Sequence, residues 1–162
     1  ELNRKQRALD AAAENAEAVA GVMGEYQDRS RALLQRMGSQ VDKSREPRTF
    51  LEAQNRGTDE MGKFSAAMAE AQKATDAAAQ QAKLKEADDH RAKAVELFYK
   101  ALSLAEDNTS LEDKNIVRYY IGYMTYTMGR TYDAAVVGEF LLRYYPNSGG
   151  ARSAAKIALA CY

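Results

Sequence analysis

From Leu2 to about Val41 the apolar residues recur at heptad spacing. One register holds Leu2, Leu9, Ala16, Met23, Ser30 and Met37, and the other holds Lys5, Ala12, Val19, Tyr26, Leu33 and Gln40. Nine of these twelve are apolar, which is the seam of a helix that packs lengthwise on another helix. A single helix over that span would be about 60 Å long. Charged residues and Pro47 break the pattern at Asp42–Arg48, because a proline steers the residue before it away from helical angles. Thr49 with Glu52 then has capping-box spacing, so a second helix is expected from Phe50 to Ala82. Its seam holds Phe50, Gly57, Phe64, Ala71 and Ala78 in one register and Gln54, Met61, Met68, Thr75 and Ala82 in the other. The short connection predicts an antiparallel hairpin of coiled-coil character over residues 1–87.

The pattern changes after residue 88. Ala94, Phe98 and Ala101 put small, large and small side chains on one helix face. Thr109 with Glu112 again has capping-box spacing, and the tyrosine-rich helix that follows stops at Gly129. RTYDAAVVGEFLLRYYP reads as the next helix, closed by Pro146, and another begins at Ala151. The chain opens at Glu1 and stops at Cys161 and Tyr162 inside an amphipathic pattern, the reading expected of a fragment of a longer protein.

Composition narrows the function classes. The 162 residues carry 23 basic and 23 acidic side chains, with no run of Lys and Arg, so a phosphate-reading nucleic-acid surface is not expected. Uncharged stretches fall far short of the roughly 20 apolar residues of a membrane-spanning helix. Two prolines, no tryptophan and abundant alanine predict an all-α protein. A single cysteine, Cys161, builds neither a disulfide nor a zinc cluster and reads as a small buried hydrophobe. His90, the single histidine, stands beside Glu86, Asp88 and Asp89 and reads as part of a solvated helix junction. Ser110 and Ser148 read as helix-end residues. No catalytic, cofactor-binding or metal-ligating set is expected.

Read as a 34-residue unit from Asn115, the carboxy-terminal half resembles a tetratricopeptide repeat. Ile121, Gly122, Gly129, Ala134 and Pro146 fall on the Leu, Gly, inter-helix turn, small residue and closing proline of that family. The wording YYPNSGGARSAAKIALACY is similar to the repeats of bacterial cell-envelope proteins, such as the Tol-Pal coordinator and the lipoprotein that helps insert outer-membrane barrels. The resemblance spans roughly residues 75–162, with a weaker unit from Thr75 and an inserted loop around Glu106–Lys114. Arg118, Thr125 and Gly138 depart from the family pattern, and Gly138 would let the following helix approach closely.

The resemblance implies a short, right-handed α-α array over residues 88–162, a non-catalytic role in binding a protein or peptide, and an envelope rather than a cytoplasmic setting. It places Ile116, Tyr119, Tyr123, Tyr126 and Thr127 in the groove. Bare helical spacing also aligns Tyr119, Tyr123 and Tyr126 on one stripe, which is either an open groove or a face covered by the preceding hairpin. The amino-terminal hairpin is expected to cover the repeats or to form a homo-oligomer, and in the alternative reading it makes the chain a structural spacer.

Overall fold

The computed structural model describes residues 46–162, together with positions 4, 5, 7–9, 11, 12, 16, 32 and 33, which are helical. The chain is all-α, with no strand among the described residues. The pairing expected of the 2–41 helix lies outside the described residues.

The first fully described helix, α1, spans Phe50–Lys73 and starts where the capping box places it. The Thr49 hydroxyl accepts from the Glu52 amide at 3.1 Å, and the Glu52 carboxylate reaches back to the amide of Arg48 at 3.0 Å. Phe50, Ala53, Gly57, Phe64, Ala67 and Ala71 form its buried stripe. The register of Phe50, Gly57, Phe64 and Ala71 is therefore the buried one, while Met61 and Met68 lie on the flank, partly buried against the core.

The helix expected to reach Ala82 ends at Lys73, and α2 spans Ala77–Ser103. Ala74 is extended, and the Asp76 carboxylate caps the new helix by accepting from the Ala79 amide at 2.8 Å. An N-cap aspartate outweighs the helix propensity of the surrounding alanines because it satisfies an otherwise orphaned amide. The hairpin of the structure is accordingly α1 against α2. It is antiparallel, with Glu70 opposite Lys83 at 2.7 Å and Glu60 opposite His90 at 2.6 Å. The boundary expected between residues 87 and 88 falls inside α2, where Ala87 is fully buried. The weak unit from Thr75 is likewise one continuous helix rather than a helix pair.

Ala94, Phe98 and Ala101 are completely buried, as their spacing predicts. The Phe98 ring lies over Gly57, where a Cβ would come within 2.6 Å of it. A connection over residues 104–110 leads to α3, Leu111–Thr127. Its cap is Ser110, which accepts from Asp113, one residue on from the expected Thr109–Glu112 pair. The freed Glu112 carboxylate accepts instead from the Gly149 amide at 2.5 Å.

Gly129, at φ +73°, ends α3 in the left-handed conformation that an L side chain disfavours. Helix α4, Thr131–Tyr144, stops before Pro146, and α5, Ala151–Ala160, follows Gly150 at φ +79°. The residues that α5 buries are all alanines, Ala151, Ala154 and Ala158. A Cβ on Gly138 would meet the Ala154 carbonyl oxygen at 2.5 Å and the Ala158 Cβ at 2.8 Å, which is the close approach anticipated at that position.

Two glycines in helix interiors separate propensity from packing. Gly62 has nothing within 4 Å of its would-be Cβ, so Gly62→Ala should raise stability by about 0.5–1 kcal/mol. Gly138→Ala pushes into backbone and should cost about 1–3 kcal/mol despite the same gain in propensity. Denaturant unfolding of the two variants, showing midpoint shifts of opposite sign, checks both.

Candidate tyrosine stripe and its surroundings

Helix α3 buries Val117, Ile121 and Met124 on one side, and this orientation decides where its tyrosines go. Tyr120 shares that side and stacks on Phe98 with ring centroids 5.3 Å apart. Tyr119 and Tyr123 lie on the adjacent strip, 6.4 Å apart, and Tyr119 also meets Tyr120 at 5.6 Å. Tyr123 is half-buried and packs against the core, whereas Tyr126 is 36% exposed. The stripe thus runs from a supported interior to an open lip.

Its other end is covered, though by the following loop. Ile116 and Tyr119 lie beneath Gly149 and Gly150, and a Cβ on Gly150 would come within 2.8 Å of the Tyr119 Cβ. At the open end the Thr127 hydroxyl donates to the Met124 carbonyl at 2.7 Å. The Thr127 carbonyl accepts from the Arg91 guanidinium of α2, which also lies over the Phe64 ring. The hairpin meets this side of α3 through Arg91 at Thr127, and Phe98 packs on the neighbouring Tyr120. The five expected residues lie along one side of α3, with Ile116 and Tyr119 under the loop, Tyr123 on the core and Tyr126 at the surface.

Tyr120 and Arg91 are the residues that sequence reasoning passed over. Tyr120 follows the 117–120–124 spacing of the buried side, a signal present in the periodicity. Arg118, which departs from the family pattern, donates to Asn115 Oδ1 at 2.7 Å and lies over the rings of Phe140 and Tyr145. It ties α3 to the end of α4 through cation–π contact.

His90 is not in a solvated junction. It lies within α2, half-buried, with Nδ1 2.6 Å from Glu60 and Nε2 3.9 Å from Glu86. Burial pushes the Glu60 carboxyl up, but hydrogen bonds and charge from Lys63 and His90 outweigh it and hold the group below its usual range. Beside this cluster a cleft of about 690 Å³ opens between α1, α2 and the Glu46–Pro47 lead-in. It is lined by charges of both signs, and Lys100 reaches Glu46 across it at 3.6 Å. Among the described residues no three His, Cys, Asp or Glu side chains converge as metal ligands, and no helix is long and apolar enough to cross a membrane.

Comparison with protein-family models, characterised proteins and solved structures gave no match.

Two expectations follow. Tyr123→Ala should lower stability by about 2–3 kcal/mol because the ring is part of the core, whereas Tyr126→Ala should stay within about 1 kcal/mol. Thermal unfolding of the two proteins separates supported from free rings. Because the folded-state pKa of Glu60 is depressed, its contribution to stability is present above the unfolded value and is lost as pH falls through the folded one. Glu60→Gln should therefore flatten the loss of stability below about pH 4.5, read by urea unfolding at successive pH values.

Proposed function

We propose that this chain is a non-catalytic protein–protein interaction module in which α3, α4 and α5 form a tetratricopeptide-like stack. The observation that carries this reading is the tyrosine row of α3, held on the core by Tyr123 and open to solvent at Tyr126. A tyrosine fixed in this way offers a large ring and a hydroxyl at little entropic cost, which suits it to contact another chain.

The packing of the family-matching residues supports the stack. Gly122 lets Val137 of α4 come within 3.1 Å of its would-be Cβ, Gly129 makes the inter-helix turn, and Ala134 is completely buried. In such arrays each helix pair leaves an apolar face for its neighbour, and successive first helices line a shared surface. Helices α3 and α5 take that role here. The ligand class is a protein segment with an apolar or mixed surface, because a chain of zero net charge supplies no long-range steering.

Selection from a displayed peptide library against the intact protein tests the reading. Selected segments should lose at least tenfold in affinity against Tyr126→Ala, with helical content unchanged. Binders that are all indifferent to Tyr126→Ala would sink the proposal.

A further inference from the structure

The turn that joins α4 to α5 is tied to α3 by one side chain. Glu112, exposed in the first turn of α3, accepts from the Gly149 amide through its carboxylate. Among the described residues no other hydrogen bond joins residues 146–150 to α3. Ser148 instead bonds back to the Tyr145 carbonyl through both its amide and its hydroxyl, and the Ala151 amide bonds to the Ser148 carbonyl. Beneath the turn lies one end of the tyrosine row. A Cβ on Gly149 would stand 3.6 Å from Ile116 Cγ1, and one on Gly150 would stand 3.0 Å from Tyr119 Cγ, so bare backbone covers these two residues. Tyr126, at the other end, is open to solvent. The turn is also free to pivot, because two consecutive glycines give the backbone its widest choice of angles and α5 begins without a side-chain cap.

We propose that residues 146–150 form an autoinhibitory cover, latched by Glu112, over one end of the partner-binding row. The inference rests on the reading of that row as a binding face and adds its regulation. Closed, the turn leaves Tyr123 and Tyr126 to a partner. Lifted, it adds Ile116 and Tyr119, and the row then runs about 15 Å along α3. A hydrogen bond open to water exchanges a protein partner for a solvent one when it breaks, so the latch biases the turn toward closure without locking it. A segment that uses the whole row binds only the open form, and its apparent affinity is reduced by the fraction of molecules that are open. Weakening the latch removes that reduction, whereas a segment that uses Tyr126 alone is indifferent to it.

Hydroxyl-radical footprinting of the intact protein, read residue by residue by mass spectrometry, measures the cover with no ligand present. Glu112→Ala should raise the labelling of Ile116 and Tyr119 roughly threefold, while Tyr123 and Tyr126 keep their wild-type rates and circular dichroism is unchanged. Glu112→Gln keeps a carbonyl acceptor but no charge. It supplies the second variant if the first loses helix, and it should move the same two residues by a smaller factor. Segments from the displayed library that lose affinity in Tyr119→Ala should bind Glu112→Ala about threefold more tightly than wild type. Labelling of Ile116 and Tyr119 that stays at the wild-type rate in a folded variant overturns the proposal. So does an equal rise at all four residues, since Glu112 would then support the helix as a whole rather than the turn. If no selected segment depends on Tyr119, or none binds the variant more tightly, the turn inhibits nothing and the proposal falls. Failure of the binding-face reading shows instead as binders indifferent to Tyr126→Ala, with the footprint of the turn unaffected, so the two failures are told apart.

Discussion

The seating of one phenyl ring organises the molecule. Phe98 is fully buried, lies against the bare backbone of Gly57 and stacks on Tyr120, so a single side chain joins α1, α2 and α3. A ring of this size can occupy the inter-helix seam only because the opposing position lacks a Cβ and its own neighbours on α2, Ala94 and Ala101, are small. Close-packed interiors resist any change of volume, so this pairing of large with absent fixes how near the two long helices lie. It also fixes the rotation of α3, since Tyr120 must face Phe98. Once Tyr120 faces inward, Tyr119 and Tyr123 are carried to the edge of the core and Tyr126 to the surface.

The same device recurs farther along the chain. Gly122 admits Val137, and Gly138 admits the backbone of α5. The three contacts differ in their partner, a ring, a branched aliphatic and a peptide carbonyl, yet each depends on a missing Cβ. Arg118 and Glu112 then lock the connections from outside, one by lying over Phe140 and Tyr145 and the other by accepting from Gly149. The covered end of the tyrosine stripe follows from that last bond, which draws the Gly149–Gly150 turn down over Ile116 and Tyr119.

Local spacing made much of this legible. The faces of Ala94, Phe98 and Ala101, the starts after Thr49 and Gly150 and the stops at Gly129 and before Pro146 all follow from short-range chemistry. The break at Ala74–Asp76 was obscured because alanine-rich flanks favour continuing the helix, whereas a cap depends on the conformation of one aspartate. His90 was misplaced by its acidic neighbours in sequence, since its partner Glu60 lies 30 residues away on α1. The alignment of Tyr119, Tyr123 and Tyr126 could be read from helical geometry. Which of them would be covered could not, because the cover arrives through a turn some 30 residues downstream whose approach leaves no periodic trace.

Helix α5 shows what it entails for a helix to bury alanine alone. Its buried positions are Ala151, Ala154 and Ala158, and no side chain caps its start. Each buried methyl contributes about 0.8 kcal/mol, whereas ordering a residue's backbone costs about 1–2 kcal/mol. Ten residues are thus held mainly by geometric fit and their own backbone hydrogen bonds. Such a segment belongs at the low end of the molecule's range of local opening energies, so its amides exchange with solvent through local unfolding while those around Phe98 wait for global unfolding.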